Sequence, residues 1–222
     1  SVDFIKRANL RVDLARFQKE LLRDRRETIG RFDSRYTGID ADAAGERPES
    51  DASSDAISGA FIGTFMDYLT HTLGYKTEMP YRLSARDADG WTWNWKHDAP
   101  GRGGEQNNPN TAVDLGAAMR TNPYLKVLSL NGWYDMATPF FGTEFDLNHM
   151  MLEPAQQGNL SFRYYPAGHM TYLNPEALRQ MKRDLARWYD EAVSEAKSAT
   201  PPQAPSLSGG AVGDTPPDSW AD

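Results

Sequence analysis

The spacing of apolar residues predicts five helices. Apolar side chains that recur every three or four positions lie on one face of a helix, and charged residues fill the positions between them. The stretches with this pattern, or with the composition of a helix, are Asn9–Asp24, 56–74, 110–123, 138–152 and 174–196. Residues 39–55 are polar and acidic with few large apolar side chains, and are predicted to form an exposed connection.

Residues that commonly cap helices mark where these helices begin. Ser, Thr, Asp and Asn accept hydrogen bonds from the free N–H groups of a first turn, and proline fits the first helical position. The predicted caps are Ser53, Ser54 or Asp55 for the second helix, Asn110 or Thr111 for the third, Thr138 ahead of Pro139 for the fourth, and Asn174 ahead of Pro175 for the fifth. Gly74 and Pro123 are expected to end the second and third helices.

Two short apolar runs between the last three helices are predicted to be strands. Residues 125–132 are almost wholly apolar, as in strands covered on both faces of a parallel sheet, and residues 160–168 form the second run. Earlier in the chain, residues 28–38 alternate and carry glycines near both ends, so they are predicted to form short strands or a hairpin-like loop. Residues 75–84 also alternate, but Pro80 argues against a central strand there.

The order of elements from 110 to 196, helix–strand–helix–strand–helix, predicts an α/β fold with parallel strands and crossover helices. Two strands do not form a stable sheet of this type, so we expect them to close a larger sheet whose other strands lie outside this chain. Residues 110–197 are then the C-terminal part of a core, and residues 1–109 are part of a mainly helical cap insertion. Residues 198–222 are rich in Pro and Gly and are predicted to be a disordered tail.

Composition and charge exclude several classes of function. The chain has no cysteine, which removes thiol nucleophiles, disulfides and cysteine-based zinc sites. A net charge of -7 and a pI near 5.1 argue against a nucleic-acid or anionic-membrane partner. No apolar run approaches the roughly 20 residues that cross a bilayer. The chain begins with Ser1, not Met, so we expect a processed product or a part of a longer protein.

One titratable residue follows each of the two predicted parallel strands. Asp135 lies in "NGWYDMATP" after the first strand, and His169 lies in "YPAGHM" after the second. Functional groups gather at the carboxyl ends of parallel strands, so we expect these two side chains to touch. A carboxylate that orients an imidazole, in this chain order, is the second half of a Ser–Asp–His triad. Taken singly, Asp135 also suits a helix cap or turn, and His169 an ordinary loop histidine.

No serine in the chain has the sequence context of a nucleophile elbow. That strand-to-helix turn requires Gly-x-Ser-x-Gly or a close variant. Ser129 lies inside a predicted strand, Ser34 and Ser58 lack the spacing, and the serines of "SLSGG" lie in the predicted tail. A triad nucleophile is therefore expected upstream of Ser1.

The two loops, "NGWYDMATP" and "YPAGHM", resemble the C-terminal end of bacterial serine carboxypeptidases, peptidases of the α/β-hydrolase fold that remove C-terminal amino acids. Three further stretches, "ANLRVDLARFQKELLRD", "GRFDSRYTG" and "GAFIGTFMDYL", resemble the insertion that precedes these motifs in bacterial members. The resemblance covers about residues 1–196. It implies that Asp135 is the triad acid, that His169 is the triad base, and that Met170 binds substrate.

The same resemblance sets expectations for what surrounds the chain. It implies a peptide substrate, a periplasmic or secreted location, and an upstream part of the same protein that carries the nucleophilic serine. The family's oxyanion hole, and the acidic pair that binds the free carboxylate of the substrate, have no counterpart in this sequence. No cofactor, metal, nucleic acid or membrane partner is expected.

Other readings of the same residues remain open. Similar Asp and His loops serve esterases and aminopeptidases on this fold, and a non-catalytic peptide-binding module could retain the same scaffold. His149 with Glu144 or Asp146 could ligate a metal, although a packing histidine on a helix suits the spacing better. His71 and His97 have no partner in the sequence pattern. The alternating tryptophans 91, 93 and 95 suit core packing or a contact with the cap at least as well as a wall of the substrate site.

Overall fold

The computed structural model describes residues 2–84, 90–101 and 104–198, and it mixes helices with short strands in small open sheets. The helices are α1 (Val2–Arg7), α2 (Leu14–Glu20), α3 (Ala52–Asp67), α4 (Ala112–Thr121), α5 (Phe140–Asn148), α6 (Pro154–Gln157) and α7 (Pro175–Ser198). The strands are β1 (Glu27–Ile29), β2 (Thr37–Ile39), β3 (Val127–Gly132) and β4 (Leu160–Tyr165). From residue 199 onwards, the predicted tail lies outside the described residues.

Strands β3 and β4 pair in parallel, with α4 before them, α5 between them and α7 after them. The predicted order of helix, strand, helix, strand and helix is therefore confirmed, with the short α6 added before β4. The register runs from Val127 opposite Leu160 to Gly132 opposite Tyr165, so the two strands end at the same level. The loops that follow them start side by side.

Two apolar clusters hold the helices against this pair of strands. Met119 of α4 packs with Met150 and Leu152 from the connection after α5, and Val127 and Leu160 lie against this cluster. The second cluster joins the end of β4 to the start of α7 through the following buried residues: Tyr165, Ala167 and Ala177. Burial of such side chains is the main favourable contribution to folding.

Strands β1 and β2 form an antiparallel hairpin, as the alternation of residues 28–38 predicts. The residues between them, 30–36, are called the hairpin loop below; its ends are joined by a bond from the Gly30 N–H to the Tyr36 carbonyl, 2.9 Å long. Helix α2 is anchored beside the hairpin by the buried pair of Lys19 and Asp40, whose Nζ and Oδ1 lie 2.5 Å apart. Burial opposes the charge on Lys19, but its hydrogen bonds to Asp40 and Glu49 outweigh that effect and raise its pKa.

The predicted helix from Asn9 to Asp24 is wrong in its extent. Asn9 and Leu10 adopt positive φ angles of 51° and 62°, which break the helical path between α1 and α2. A residue with left-handed backbone angles cannot continue a right-handed α-helix. The apolar spacing did not reveal this break, because the pattern continues on both sides of it.

The predicted cap of α3 is also wrong. Asp51, ahead of Ser53, Ser54 and Asp55, begins the helix and accepts hydrogen bonds from the Ser53 N–H and from the Ser53 and Ser54 hydroxyls. Its Oδ1 also accepts from the Arg31 N–H at 2.7 Å. Burial opposes the charge on Asp51, but these donors outweigh it and lower the pKa of the carboxyl. The tertiary contact with Arg31 therefore selects the earlier residue as cap.

Helix α5 begins later and ends earlier than the predicted stretch, 138–152. Pro139 is its cap and Phe140 its first residue, so Thr138 does not cap it. The helix stops at Asn148, and Met151 has a positive φ of 53° in the turn that leads to α6. The cap predicted for α7 is confirmed, since Asn174 Oδ1 accepts from the backbone N–H groups of the first turn.

Residues 75–84 form no strand, despite their alternating pattern. Within the described ranges, no helix combines the length and the apolar character needed to cross a membrane.

Candidate active site

Asp135 and His169 are in hydrogen-bond contact, with 2.9 Å between Asp135 Oδ2 and His169 Nδ1. The two residues are 34 positions apart in the sequence and come together because β3 and β4 end side by side. The expected contact is therefore present. That the pair performs catalysis stays a prediction at this point.

Backbone hydrogen bonds continue the pairing of the two strands into the loops beyond them. The Trp133 N–H donates to the Tyr165 carbonyl at 3.0 Å, and the Tyr134 N–H donates to the Ala167 carbonyl at 3.1 Å. Gly132 permits this approach, because a Cβ atom there would lie 2.5 Å from the Ala167 carbonyl oxygen. These backbone bonds hold the Asp135 loop directly against the His169 loop.

The Asp135 carboxylate is almost buried, with 7% of its side chain exposed, and both of its oxygens are fully used. Oδ1 accepts from the N–H groups of Ala137 and Thr138, at 2.7 and 2.9 Å. Oδ2 accepts from the Thr138 hydroxyl at 2.7 Å and from His169. Asp135 is therefore a turn residue as well as the partner of His169, and the turn fixes the direction of its carboxylate.

The second ring nitrogen of His169, Nε2, determines what this imidazole can do. Nδ1 lies against a carboxylate oxygen, an acceptor, so the neutral ring is assigned its proton on Nδ1 and leaves Nε2 free to accept one. The side chain is 40% exposed, and Nε2 has no hydrogen-bond partner in the part of the chain that the structure describes. An imidazole in this state can act as a general base.

The hairpin loop contacts both the Asp135 loop and the His169 loop and holds them together. On the Asp135 side, the Met136 N–H donates to the Arg31 carbonyl at 3.0 Å and the Ser34 N–H donates to the Tyr134 carbonyl at 2.9 Å. On the other side, the His169 N–H donates to the Phe32 carbonyl at 2.6 Å. The Phe32 ring also lies 5.3 Å from the His169 ring, measured between centroids.

A hydrogen bond from Arg35 and a close contact at Gly168 also join the hairpin loop to the His169 loop. The Arg35 guanidinium donates to the Pro166 carbonyl at 3.0 Å, while Asp33 neutralises it through a 2.6 Å ion pair. Gly168 lies directly against the hairpin loop, since a Cβ atom there would come within 2.6 Å of the Asp33 Cβ. The chain could not pass this closely with any larger residue at Gly168.

Met170 lines a cavity of about 330 Å³ beside the His169 loop. Its apolar walls are formed mainly by side chains from the hairpin loop, α3 and the turn before α7: Phe32, Tyr36, Ile57, Met170 and Leu173. Apolar walls of this kind suit an apolar side chain of a ligand. Met170 is thus next to the candidate site, and its role in substrate binding stays a prediction.

The remaining histidines do not join this site. His149 stacks on Phe145 with 4.0 Å between ring centroids, and its Nδ1 lies 2.6 Å from the Phe145 carbonyl oxygen. The view that His71 and His97 lack partners is wrong: each contacts an aspartate at 2.8 Å, Asp67 and Asp114 respectively. Among the described residues, no group of three or more potential metal ligands comes together.

The tryptophans do not pack in the core as their alternation favours. Trp93 and Trp95 are 59% and 58% exposed, and the three rings contact one another along the chain, at 5.1 Å between Trp91 and Trp93 and 5.9 Å between Trp93 and Trp95.

Two parts of the site are not predicted by the sequence. The hairpin loop is predicted as local structure only, and its position between the two loops depends on backbone atoms that leave no residue pattern. Thr138 is predicted as a helix cap, whereas its hydroxyl binds Asp135. An aspartate commonly accepts from the N–H two residues on, as Asp135 does from Ala137, but no spacing identifies the contact with the Thr138 hydroxyl.

Comparison of the chain with models of protein families, with curated proteins and with solved structures finds no match. The site must therefore be interpreted from its own geometry and from the resemblance of its two loops.

Proposed function

We propose that this chain supplies the acid and the base of a Ser–Asp–His triad in a serine-type carboxypeptidase of the α/β-hydrolase fold. The observation that carries the proposal is the contact between Asp135 and His169 at the adjoining ends of two parallel strands. In such a triad the serine Oγ attacks the peptide carbonyl and passes its proton to His169 Nε2. Asp135 holds the ring and stabilises the imidazolium, and the same proton then goes to the leaving amine.

The nucleophile is the part of the triad that this chain does not provide. Within the described residues, no serine hydroxyl forms a hydrogen bond with His169, and no serine of the sequence has the elbow context. We place the serine upstream of Ser1, together with the strands that would extend the sheet beyond β3 and β4. Parallel sheets are normally covered on both faces and contain more than two strands, which supports this placement.

The substrate proposed is a peptide with a free C-terminal carboxylate. Support comes from the resemblance of the two loops to bacterial serine carboxypeptidases, and from the apolar cavity that Met170 lines beside the base. We also propose a periplasmic or secreted location, which rests on the same resemblance to bacterial serine carboxypeptidases.

The test is active-site labelling of the full-length protein with a fluorophosphonate probe, which reacts only with an activated serine. His169→Ala should abolish labelling, because the serine then has no base. His149→Ala is the matched control, since that histidine contacts only its own helix, and it should label like the wild type. Labelling that survives in His169→Ala, or a wild type that never labels, would overturn the proposal.

A second measurement addresses the substrate. The full-length protein should release the last residue of a peptide with a free carboxylate and should fail on the same peptide with a C-terminal amide. Labelling by the probe together with equal hydrolysis of both peptides, or of simple esters alone, would assign the triad to an esterase or another peptidase.

A further inference from the structure

Thr138 lies between the Asp135 turn and helix α5, but its side chain contributes nothing to the helix. The helix starts at Phe140, and the Thr138 hydroxyl instead faces the two candidate catalytic groups. A threonine ahead of a proline and a helix is ordinarily a cap. Here the hydroxyl instead contacts Asp135 and His169.

The Thr138 hydroxyl forms a closed triangle with the dyad. Its Oγ1 lies 2.7 Å from Asp135 Oδ2 and 3.2 Å from His169 Nδ1, and these two atoms are 2.9 Å from each other. A carboxylate offers no proton, so the hydroxyl donates to Oδ2. Its lone pairs then face Nδ1, and the Nδ1 proton is shared between the carboxylate and the hydroxyl.

This arrangement distinguishes the two neutral forms of the His169 ring. With the proton on Nδ1, every contact in the triangle joins a donor to an acceptor. With the proton on Nε2, the hydroxyl could donate to Nδ1 or to Oδ2 but not to both, so one contact of the triangle would join two acceptors. The triangle as a whole therefore favours the first form, and the second is the form that cannot accept a proton from a serine.

Thr138 also fixes the carboxylate itself. Its N–H binds Asp135 Oδ1 at 2.9 Å and its hydroxyl binds Oδ2, so one residue holds both oxygens. Rotation of the carboxylate plane would break one of these two bonds. The direction in which Oδ2 points, and hence the plane of the His169 ring, depends on this residue.

We infer that Thr138 is a positioning residue of the dyad, whose N–H and hydroxyl hold the Asp135 carboxylate in the direction that meets His169 Nδ1, and so keep Nε2 ready to act as a base. The inference rests on the proposed function for its consequence in catalysis. Its consequence for the contact between carboxylate and ring is independent of that function.

The test uses three variants of the full-length protein. Thr138→Val keeps the shape of the side chain and removes the hydroxyl, and Thr138→Ser restores the hydroxyl without the methyl group. Thr121→Val is the matched control, because the Thr121 hydroxyl donates only to the Ala117 carbonyl within α4. The two readouts are the ¹⁵N chemical shifts of the His169 ring, which report where its proton lies, and kcat and KM for a peptide substrate.

In the wild type, Thr138→Ser and Thr121→Val, the ¹⁵N shifts should place the proton on Nδ1. In Thr138→Val the proton should stay on Nδ1, but the Nδ1 shift should change, because the Asp135 carboxylate that accepts this proton is no longer held at Oδ2. The value of kcat should fall about ten- to a hundredfold, the size of one lost hydrogen bond to a charged group, with KM within about twofold. Thr138→Ser should recover most of kcat. A merely structural role for Thr138 would not move the ring shifts.

The inference is overturned if Thr138→Val leaves the ¹⁵N shifts of the His169 ring and kcat at their wild-type values, or if the wild type carries the proton on Nε2. Should the valine variant fail to fold, Thr138→Ala is measured in the same way, with the same expected result. The two proposals can be refuted separately. Changed ring shifts in Thr138→Val, in a protein that no fluorophosphonate labels, would support the role of Thr138 and refute the hydrolase.

Discussion

Replacement of Asp135 by asparagine tests the dyad with the smallest possible change, one oxygen for one NH₂ group. The amide oxygen would stay where it accepts from the N–H groups of Ala137 and Thr138, since an NH₂ group there would face two donors. The NH₂ group then replaces Oδ2 and points at His169 Nδ1 over 2.9 Å. A donor in that place requires a bare Nδ1, so the ring proton is forced onto Nε2.

The size of the expected loss of kcat follows from the position of the His169 ring proton. In the His169 ring with Nε2 protonated, no lone pair is available for the serine proton. The same exchange in a serine protease lowers kcat about 10⁴-fold, which at about 1.4 kcal/mol per tenfold is about 5 kcal/mol of transition-state stabilisation. We expect a loss of this order in Asp135→Asn, with unfolding midpoints close to those of the wild type, because the turn keeps its two backbone bonds.

The assay is kcat in the full-length protein, together with the ¹⁵N shifts of the His169 ring. Asp146→Asn is the matched control, since Asp146 is exposed on α5, and it should leave kcat unchanged. A kcat within tenfold of the wild type in Asp135→Asn would refute the reasoning. So would a ring that still carries its proton on Nδ1.

Two further changes test the packing around the site. Gly168→Ala forces a Cβ atom against the hairpin loop at Phe32 and Asp33, and should destabilise the protein by about 1–3 kcal/mol in urea unfolding. Gly142→Ala is the control, because a Cβ atom there meets nothing within 4 Å, and it should be neutral or slightly stabilising. Equal unfolding midpoints for the two variants would contradict the close contact at Gly168. Asp51 should contribute stability above its ordinary pKa of 3.8 and lose it as the pH falls through its lowered folded-state value, so the stability difference between wild type and Asp51→Asn should shrink from pH 7 to pH 3. A difference that is the same at both pH values would show that charge plays no part in this cap.

The sequence predicted the part of the fold that depends on local pattern. The run of apolar residues 125–132, the second run before His169 and the Asn174–Pro175 start of α7 all lie where their spacing placed them. The pairing of Asp135 with His169 followed from strand topology alone, because both loops leave the same edge of a parallel sheet.

The features that the sequence did not predict depend on contacts between distant segments. Asp51, and not Ser53 or Ser54, caps α3, and its carboxylate also accepts from the Arg31 N–H of the hairpin loop. The break at Asn9 and Leu10 is a backbone conformation; asparagine enters the left-handed region more readily than most residues, but one asparagine does not fix where a helix breaks. Thr138 satisfied every rule for a helix cap, and only the position of His169, brought from the next strand, shows what its hydroxyl binds.

The hairpin loop joins the loops of Asp135 and His169 mostly through main-chain atoms. Three of its bonds, those between residues 31 and 136, 34 and 134, and 32 and 169, need no particular side chain at either end. Mutation can therefore change the surface that this loop shows to a ligand while the distance between acid and base is preserved. Substitutions in the hairpin loop are thus expected to alter what this surface binds while they leave the contact between Asp135 and His169 in place.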